Sequence, residues 1–287
     1  MATLLAGQLL DALALAGLLF LVSVGLSLVF GILRVVNFAH GVFYMLGAYF
    51  GFTVVAVTGQ FWLALVVVPP LVGLVGALLE ASTLRFIYRR PDSYQLLLTF
   101  GLALILEEAI RVVYGPTAKG VDPPAFLQGP IEIGDLLYPG YRLFLVALSA
   151  LVALAVWAFL QRTRAGLVIR AVAQNSEMAD CLGADVRRVR TLVFGLACGL
   201  AGLGGVAAAP MTTAYLGMGI SVIVEAFIVV VIGGLGSIVG SVAGSLIVGA
   251  AQTWGAFYIP EAAMVIIYAV MGGLLIFRPW GLFGEEE

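Results

Sequence analysis

Charge is scarce in this sequence. Only 10% of its 287 residues are Asp, Glu, Lys or Arg, while 62% are hydrophobic, and the mean hydropathy is +1.13. A soluble domain of this size could neither bury that much apolar surface nor coat itself with so few charges, which leaves a polytopic integral membrane protein. Lysine occurs once, as Lys119, and is followed by Gly120. The GxxxxGK[ST] phosphate cradle of a nucleotide-hydrolysing chain is therefore absent. His40 is the one histidine, and neither HExxH nor GxSxG occurs, so no hydrolytic centre of those designs and no metal site is expected. The two cysteines, Cys181 and Cys198, lie in a charged loop and in the apolar run after it. Those positions do not suggest a disulfide framework. No row of intramembrane Asp, Arg or Lys runs through the chain, which argues against a proton relay or voltage sensor. The first apolar run contains Asp11 and has no basic stretch before it. It reads as a retained span rather than a cleaved leader.

What the sequence has in quantity is apolar runs near the ~20 residues that cross a bilayer core of about 30 Å. They fall at 8–33, 37–57, 62–84, 94–113, 141–160, 191–210, 222–235, 238–256 and 263–277. The fold class expected is all-α: a polytopic helical membrane protein of about 8–9 transmembrane segments, one domain over 1–287, with a cytoplasmic loop at 161–190. The count is open at Ile232–Ser237, which reads either as a tight turn between two spans or as a break within one element. Arg85, Arg89, Arg90 and the cluster Arg162, Arg164, Arg170, Arg187, Arg188 and Arg190 set the orientation by the excess of basic residues in short inner loops. With Arg34 and Arg278, that puts 11 of the 14 basic residues inside, the N-terminus outside and the C-terminus in the cytoplasm. The stretch 114–140, rich in Pro and Gly and holding Asp122, Glu132 and Asp135, reads as an ordered outer cap.

The loop at 161–190 is helix-like and strongly charged. Asn175 with Ser176 offers a helix N-cap before Glu177, Gly183 supplies a stop, and Asp185 suits the cap of the next helix. Two short helices across the inner face result, a shape that fits a groove on a cytoplasmic protein or, equally, a basic surface against lipid headgroups. Small residues recur at Gly236, Gly240 and Gly244 with Ser237, Ser241 and Ser245 beside them, and similar spacing appears at Gly195 and Gly199. Such stripes let helix backbones approach closely in lipid, although a pore-lining stripe has the same spacing. Asn37 and His40, at the entrance of the second span, suit either capping and packing or contact with a substrate. The carboxylates Asp11, Glu80, Glu107, Glu108, Glu225 and Glu261 mostly sit near predicted span ends, where solvation is the plain expectation. Glu107, Glu108 and Glu225, read as opening the seventh span, could also face a solvated vestibule.

Three stretches carry a resemblance. Gly31–Tyr49 (GILRVVNFAHGVFYMLGAY), Gly166–Gly183 (GLVIRAVAQNSEMADCLG) and Glu225–Gln252 (EAFIVVVIGGLGSIVGSVAGSLIVGAAQ), in that order and spacing, resemble the permease subunits of branched-chain amino acid ABC importers. The similarity runs on to Pro279–Gly284 (PWGLFG). It implies a bacterial inner-membrane subunit that pairs with a second, related permease, two cytoplasmic ATPase subunits and a periplasmic substrate-binding protein, with no nucleic acid among its partners. ATP and Mg would be used by the ATPases, and this chain would bind no cofactor. Docking and coupling are implied for Arg170, Ala171, Ala173, Glu177, Ala179, Leu182 and Gly183. The wider importer loop carries EAA followed by glycine, whereas this chain has Ala171-Val172-Ala173 with Gly183 downstream. Asn37, His40, Glu108 and Glu225 are the candidates for a translocation pathway or gate, and Gly236, Gly240 and Gly244 for helix packing. The competing class is a stand-alone channel or secondary transporter for a small polar solute such as urea or an amide. Its water-channel version needs a paired Asn-Pro-Ala motif, but the only asparagine besides Asn37 is Asn175, in the charged loop.

Overall fold

A computed structural model describes residues 2–284 apart from Arg89 and Asp135; the sequence readings on those two therefore lie outside the described residues. The chain forms α1 (Ala2–Leu33), α2 (His40–Thr58), α3 (Phe61–Ser82), α4 (Asp92–Tyr114), β1 (Pro130–Ile133), β2 (Leu136–Pro139), α5 (Gly140–Arg162), α6 (Arg164–Gln174), α7 (Ser176–Cys181), α8 (Val186–Thr212), α9 (Met218–Gly233), α10 (Ile238–Tyr258) and α11 (Ala263–Phe277). Helix is what a chain in hydrocarbon must form, since each backbone N–H and C=O has to be satisfied within the segment. By length and composition, α1, α2, α3, α5, α8 and α10 can each cross a membrane. α4 is as long but carries Asp92, Glu107, Glu108 and Arg111, and α9 and Val265–Phe277 are shorter. The stretch 232–237 is a turn between two helices: Gly244 of α10 packs on the Val229 carbonyl of α9. The tail reinforces this turn, with Leu282 N–H and Phe283 N–H donating to the Ile232 and Gly233 carbonyls at 2.9 Å. Those carbonyls belong to the helix end that has no partners of its own.

α1 and α8 form the centre of the bundle, and backbone approach between helices holds it together. A Cβ at Gly195 of α8 would lie 2.9 Å from the Gly73 carbonyl oxygen of α3, and one at Gly199 would lie 2.9 Å from the Pro69 carbonyl. On its other side α8 meets α2, where Gly205 faces the Tyr44 carbonyl and Gly47 faces the Gly202 backbone. In lipid, where apolar burial gives little drive for association, contacts of this kind supply the packing.

The stretch 114–140, read as ordered, carries a hairpin in which β1 and β2 pair antiparallel from Pro130↔Pro139 to Ile133↔Leu136. It is tied down by a Lys119–Ala214 bridge and by stacking of Trp62 on Phe126. Several readings of the sequence are corrected. Asp11 is not simply solvated: it pairs with Arg142 and accepts from Tyr138 Oη at 2.7 Å. Glu80 is 1% exposed, because α8, more than a hundred residues later, covers it. α9 begins at Met218, so Glu225 sits two turns inside the helix rather than opening it. Asn37 is not the N-cap of α2, a position held by Ala39 with no side-chain bond. Its Oδ1 instead accepts from Ala39 N–H at 3.0 Å, two residues on, as an Asx-turn does.

Candidate functional site

The charged loop is built from caps. Thr163 Oγ1 accepts from Gly166 N–H at 3.0 Å, Asn175 Oδ1 from Met178 N–H at 2.9 Å and Asp185 Oδ1 from Arg188 N–H at 3.0 Å, which starts α6, α7 and α8 in turn. Each satisfies an orphan donor of the first turn. α7 stops at Gly183, whose φ is +89°. Gly183 N–H donates to the Asp180 carbonyl and Ala184 N–H to the Ala179 carbonyl, both at 2.9 Å. That pair is the Schellman ending, and it needs a left-handed residue at this position. Arg170 points back along the loop, donating to the Leu160 carbonyl at the end of α5 and, at 2.8 Å, to Gln161 Oε1. A cation there complements the carbonyls at a helix C-terminus.

The residues singled out from the sequence divide on this frame. Ala171, Glu177, Leu182 and Gly183 are exposed, Arg170 and Ala173 are part-buried, and Ala179 is buried beneath α7. Leu182 is 82% exposed and Met178, one turn earlier, 58%. The two make an apolar spot on an otherwise polar element, and Leu167 on α6 is also exposed. Neither Met178 nor Leu167 was among the residues singled out, although the apolar character of Met178 within a polar helix was an available signal. The capping role of Thr163 was likewise missed.

The four pathway candidates are not brought together. Asn37 and His40 are fully buried. His40 Nε2 lies 3.0 Å from the Val22 carbonyl, and α1 continues for eleven residues past Val22, roughly 16 Å at the helical rise. The chain therefore folds back into the bundle before α2 begins. This non-helical return is fastened by Phe38 N–H to Thr99 Oγ1 of α4 at 3.3 Å, and such backbone is tolerated at membrane depth only when protein or water shields it. Asn37 Nδ2 and His40 Nδ1 have no hydrogen-bond partner. α9 packs against this region through Ile223 on Gly41 and Phe227 on Phe38. Glu225, two residues past Ile223 and so about 200° round the helix, looks away from it toward Gln252. Glu108 is exposed on α4 and paired with Arg111. Gly236 (φ +84°) turns against Gly31, Gly240 lies on Gly233, and Gly244 lies on the Val229 carbonyl. Among the described residues no group of His, Cys, Asp and Glu could hold a metal.

A glycine-packed bundle of membrane-length helices, with a capped helical loop and a buried non-helical segment, defines a multi-pass helical membrane protein. The family described as "Branched-chain amino acid transport system / permease component" matches residues 8–276, and the chain belongs to it. Among its relatives are the high-affinity branched-chain amino acid transport system permease proteins BraD of Pseudomonas aeruginosa (26% identical, 98% of this chain and 96% of the relative) and LivH of Escherichia coli K12 (28%, 98% and 96%). The probable branched-chain amino acid transport permease protein LivH of Methanocaldococcus jannaschii is 24% identical over 96% of this chain and 91% of its own length. No solved structure matches the chain.

Proposed function

We propose that this chain is one of two membrane-spanning subunits of an ATP-driven importer of branched-chain or other hydrophobic amino acids, and that α6 and α7 dock the ATPase. The observation that carries the docking is the exposed pair Met178 and Leu182, 58% and 82% accessible on a loop whose charge keeps it out of the hydrocarbon. An apolar spot so placed is the anchor of a protein interface. The Gly183 ending gives that anchor a fixed shape, Arg170 and Thr163 fix the start of α6 beside the end of α5, and Ala171, Ala173, Glu177 and buried Ala179 belong to the same docking segment. The relatives' names support the substrate class. The partners are a second, related permease, two cytoplasmic ATPase subunits that bind the ATP and Mg, and a periplasmic binding protein. The chain sits in a bacterial inner membrane with its N-terminus outside and its C-terminus inside, as the placement of arginine favours.

The pathway runs beside the α2–α9 seam. Asn37 Nδ2 and His40 Nδ1, unpartnered in this conformation, gain water or substrate when the seam opens, since buried polar atoms are otherwise paired. Glu225, on the far side of α9 from the seam, and Glu108, exposed on α4 and paired with Arg111, lie apart from this route. The test is affinity capture of the tagged chain from native membranes in mild detergent, with mass spectrometry of what accompanies it. An ATPase and a second permease are expected. Leu182→Asp is expected to lose the ATPase, by about tenfold or more for a hot-spot contact, and to keep the permease. Unchanged ATPase recovery overturns the docking surface, and a chain recovered alone that passes solute without ATP overturns the importer.

A further inference from the structure

Where the glycine contacts between α3 and α8 give out, a buried polar cluster takes over. Glu80, near the end of α3, is 1% exposed. Its Oε1 accepts from Tyr88 Oη at 2.9 Å, and its Oε2 accepts from Thr191 Oγ1 at 2.6 Å and from Arg85 Nη2 at 3.4 Å. Arg85 Nη2 also donates to Thr191 Oγ1 at 2.8 Å. Arg190 lies over the Tyr88 ring at 5.4 Å, which closes the cluster from the α8 side. Burial first, and Glu80 second, push the Tyr88 phenol well above its ordinary range, so it remains a donor.

Thr191 is the sixth residue of α8, about 8 Å along the axis from its first residue at the helical rise, and α8 follows α7 after four residues. A displacement of the loop therefore reaches Thr191 through one capped helix start. On the far side of the cluster, Arg85 and Tyr88 belong to the turn that leads from α3 to α4. A buried, charged cluster is a poor way to add stability to two helices already in backbone contact, whereas fixing one relative position of them is the best-attested use of such groups.

We infer that Glu80 and Thr191 form a latch that makes α3 and the α3–α4 turn move with α8 when the loop is displaced, so that both are positioning residues for coupled transport. This rests on the reading of α6 and α7 as the ATPase dock. Motion at the loop is then shared by α3 and α8 rather than lost as sliding between them, the small relative shift that packed helices otherwise allow.

The test uses the assembled complex, spin-labelled at cysteines placed for Phe86 and Arg187, both exposed, in a chain whose exposed Cys181 is replaced by serine. On adding ATP, the distance between the labels is expected to hold within about 2 Å when Thr191 is intact, the scale of an ordinary interhelical shift. Thr191→Val preserves the shape and removes the hydroxyl's bonds to Glu80 and Arg85, together with its contact to the Arg187 carbonyl one turn back. It is expected to let the distance change beyond that limit and to lower leucine uptake per ATP about tenfold, the scale of bonds to charged partners, with Thr191→Ser restoring both. A distance that moves with Thr191 intact, or that stays fixed in Thr191→Val, overturns the latch. If Thr191→Val does not assemble, Glu80→Gln, which loses the Arg85 ion pair, is judged by the same criterion. Absence of the ATPase from the unaltered complex is a separate result, which overturns the docking reading and the latch with it.

Discussion

Gly183 sits at φ +89°, where a side chain carrying a Cβ costs roughly 1–2 kcal/mol and a β-branched one more. α7 has six residues, too few to hold together without its ends, since short helices are marginal alone. Gly183→Val is therefore expected to unravel the Schellman ending, turn Met178 and Leu182 away from each other and cut ATPase co-purification by about fivefold or more. Membrane insertion and recovery of the chain should be unchanged, because nothing lies within 4 Å of a Cβ at this position. Gly183→Asn, which tolerates the left-handed conformation, should retain most of the binding. Both variants are read in one capture experiment, and equal ATPase recovery from valine and glycine chains would show that the ending is dispensable for docking.

At the scale of elements, the α9–α10 pair depends on Gly240, where a Cβ would meet the Gly233 backbone and, at 3.0 Å, Ser237 Cβ. Gly240→Leu forces the helices apart and should destabilise the chain by about 1–3 kcal/mol or more, as overpacking does. A lowered thermal midpoint of the purified chain, with the ranking of leucine against other amino acids unchanged in uptake competition, is the expected result; a stable variant with altered ranking would turn the stripe into a pathway surface. The helices themselves were legible, because a bilayer imposes their length and composition, and so were the caps at Asn175 and Asp185 and the stop at Gly183, which act within four residues. Glu80 was not: its burial depends on Thr191 and Arg190, which approach it only when α8 packs on α3. The start of α2 was misread for the same reason. Nothing near His40 in the sequence announces that its ring meets the Val22 carbonyl, eighteen residues back and deep within α1.

For the whole molecule, the orientation, the loop and the two thiols make one consistent claim that a single reagent can test. Cys181 is exposed on α7 and Cys198 is buried in α8, so one thiol per chain should react without unfolding. In the proposed orientation, which rests on the arginine concentrated in the loop, that thiol faces the cytoplasm. A membrane-impermeant maleimide should therefore leave the chain unlabelled in right-side-out vesicles and label it in inverted ones. The docking surface adds a second requirement. Cys181 lies between Met178 and Leu182, so a bound ATPase must cover it. Inverted vesicles from cells that also make the ATPase should label several-fold more slowly than vesicles carrying the permeases alone, since a fully desolvated interface core excludes the reagent as it excludes water. Labelling from the outer side would reverse every span and put the loop where no ATPase can reach it. Inner-side labelling that ignores the ATPase would preserve the orientation and remove the dock, so the two parts of the claim fail separately.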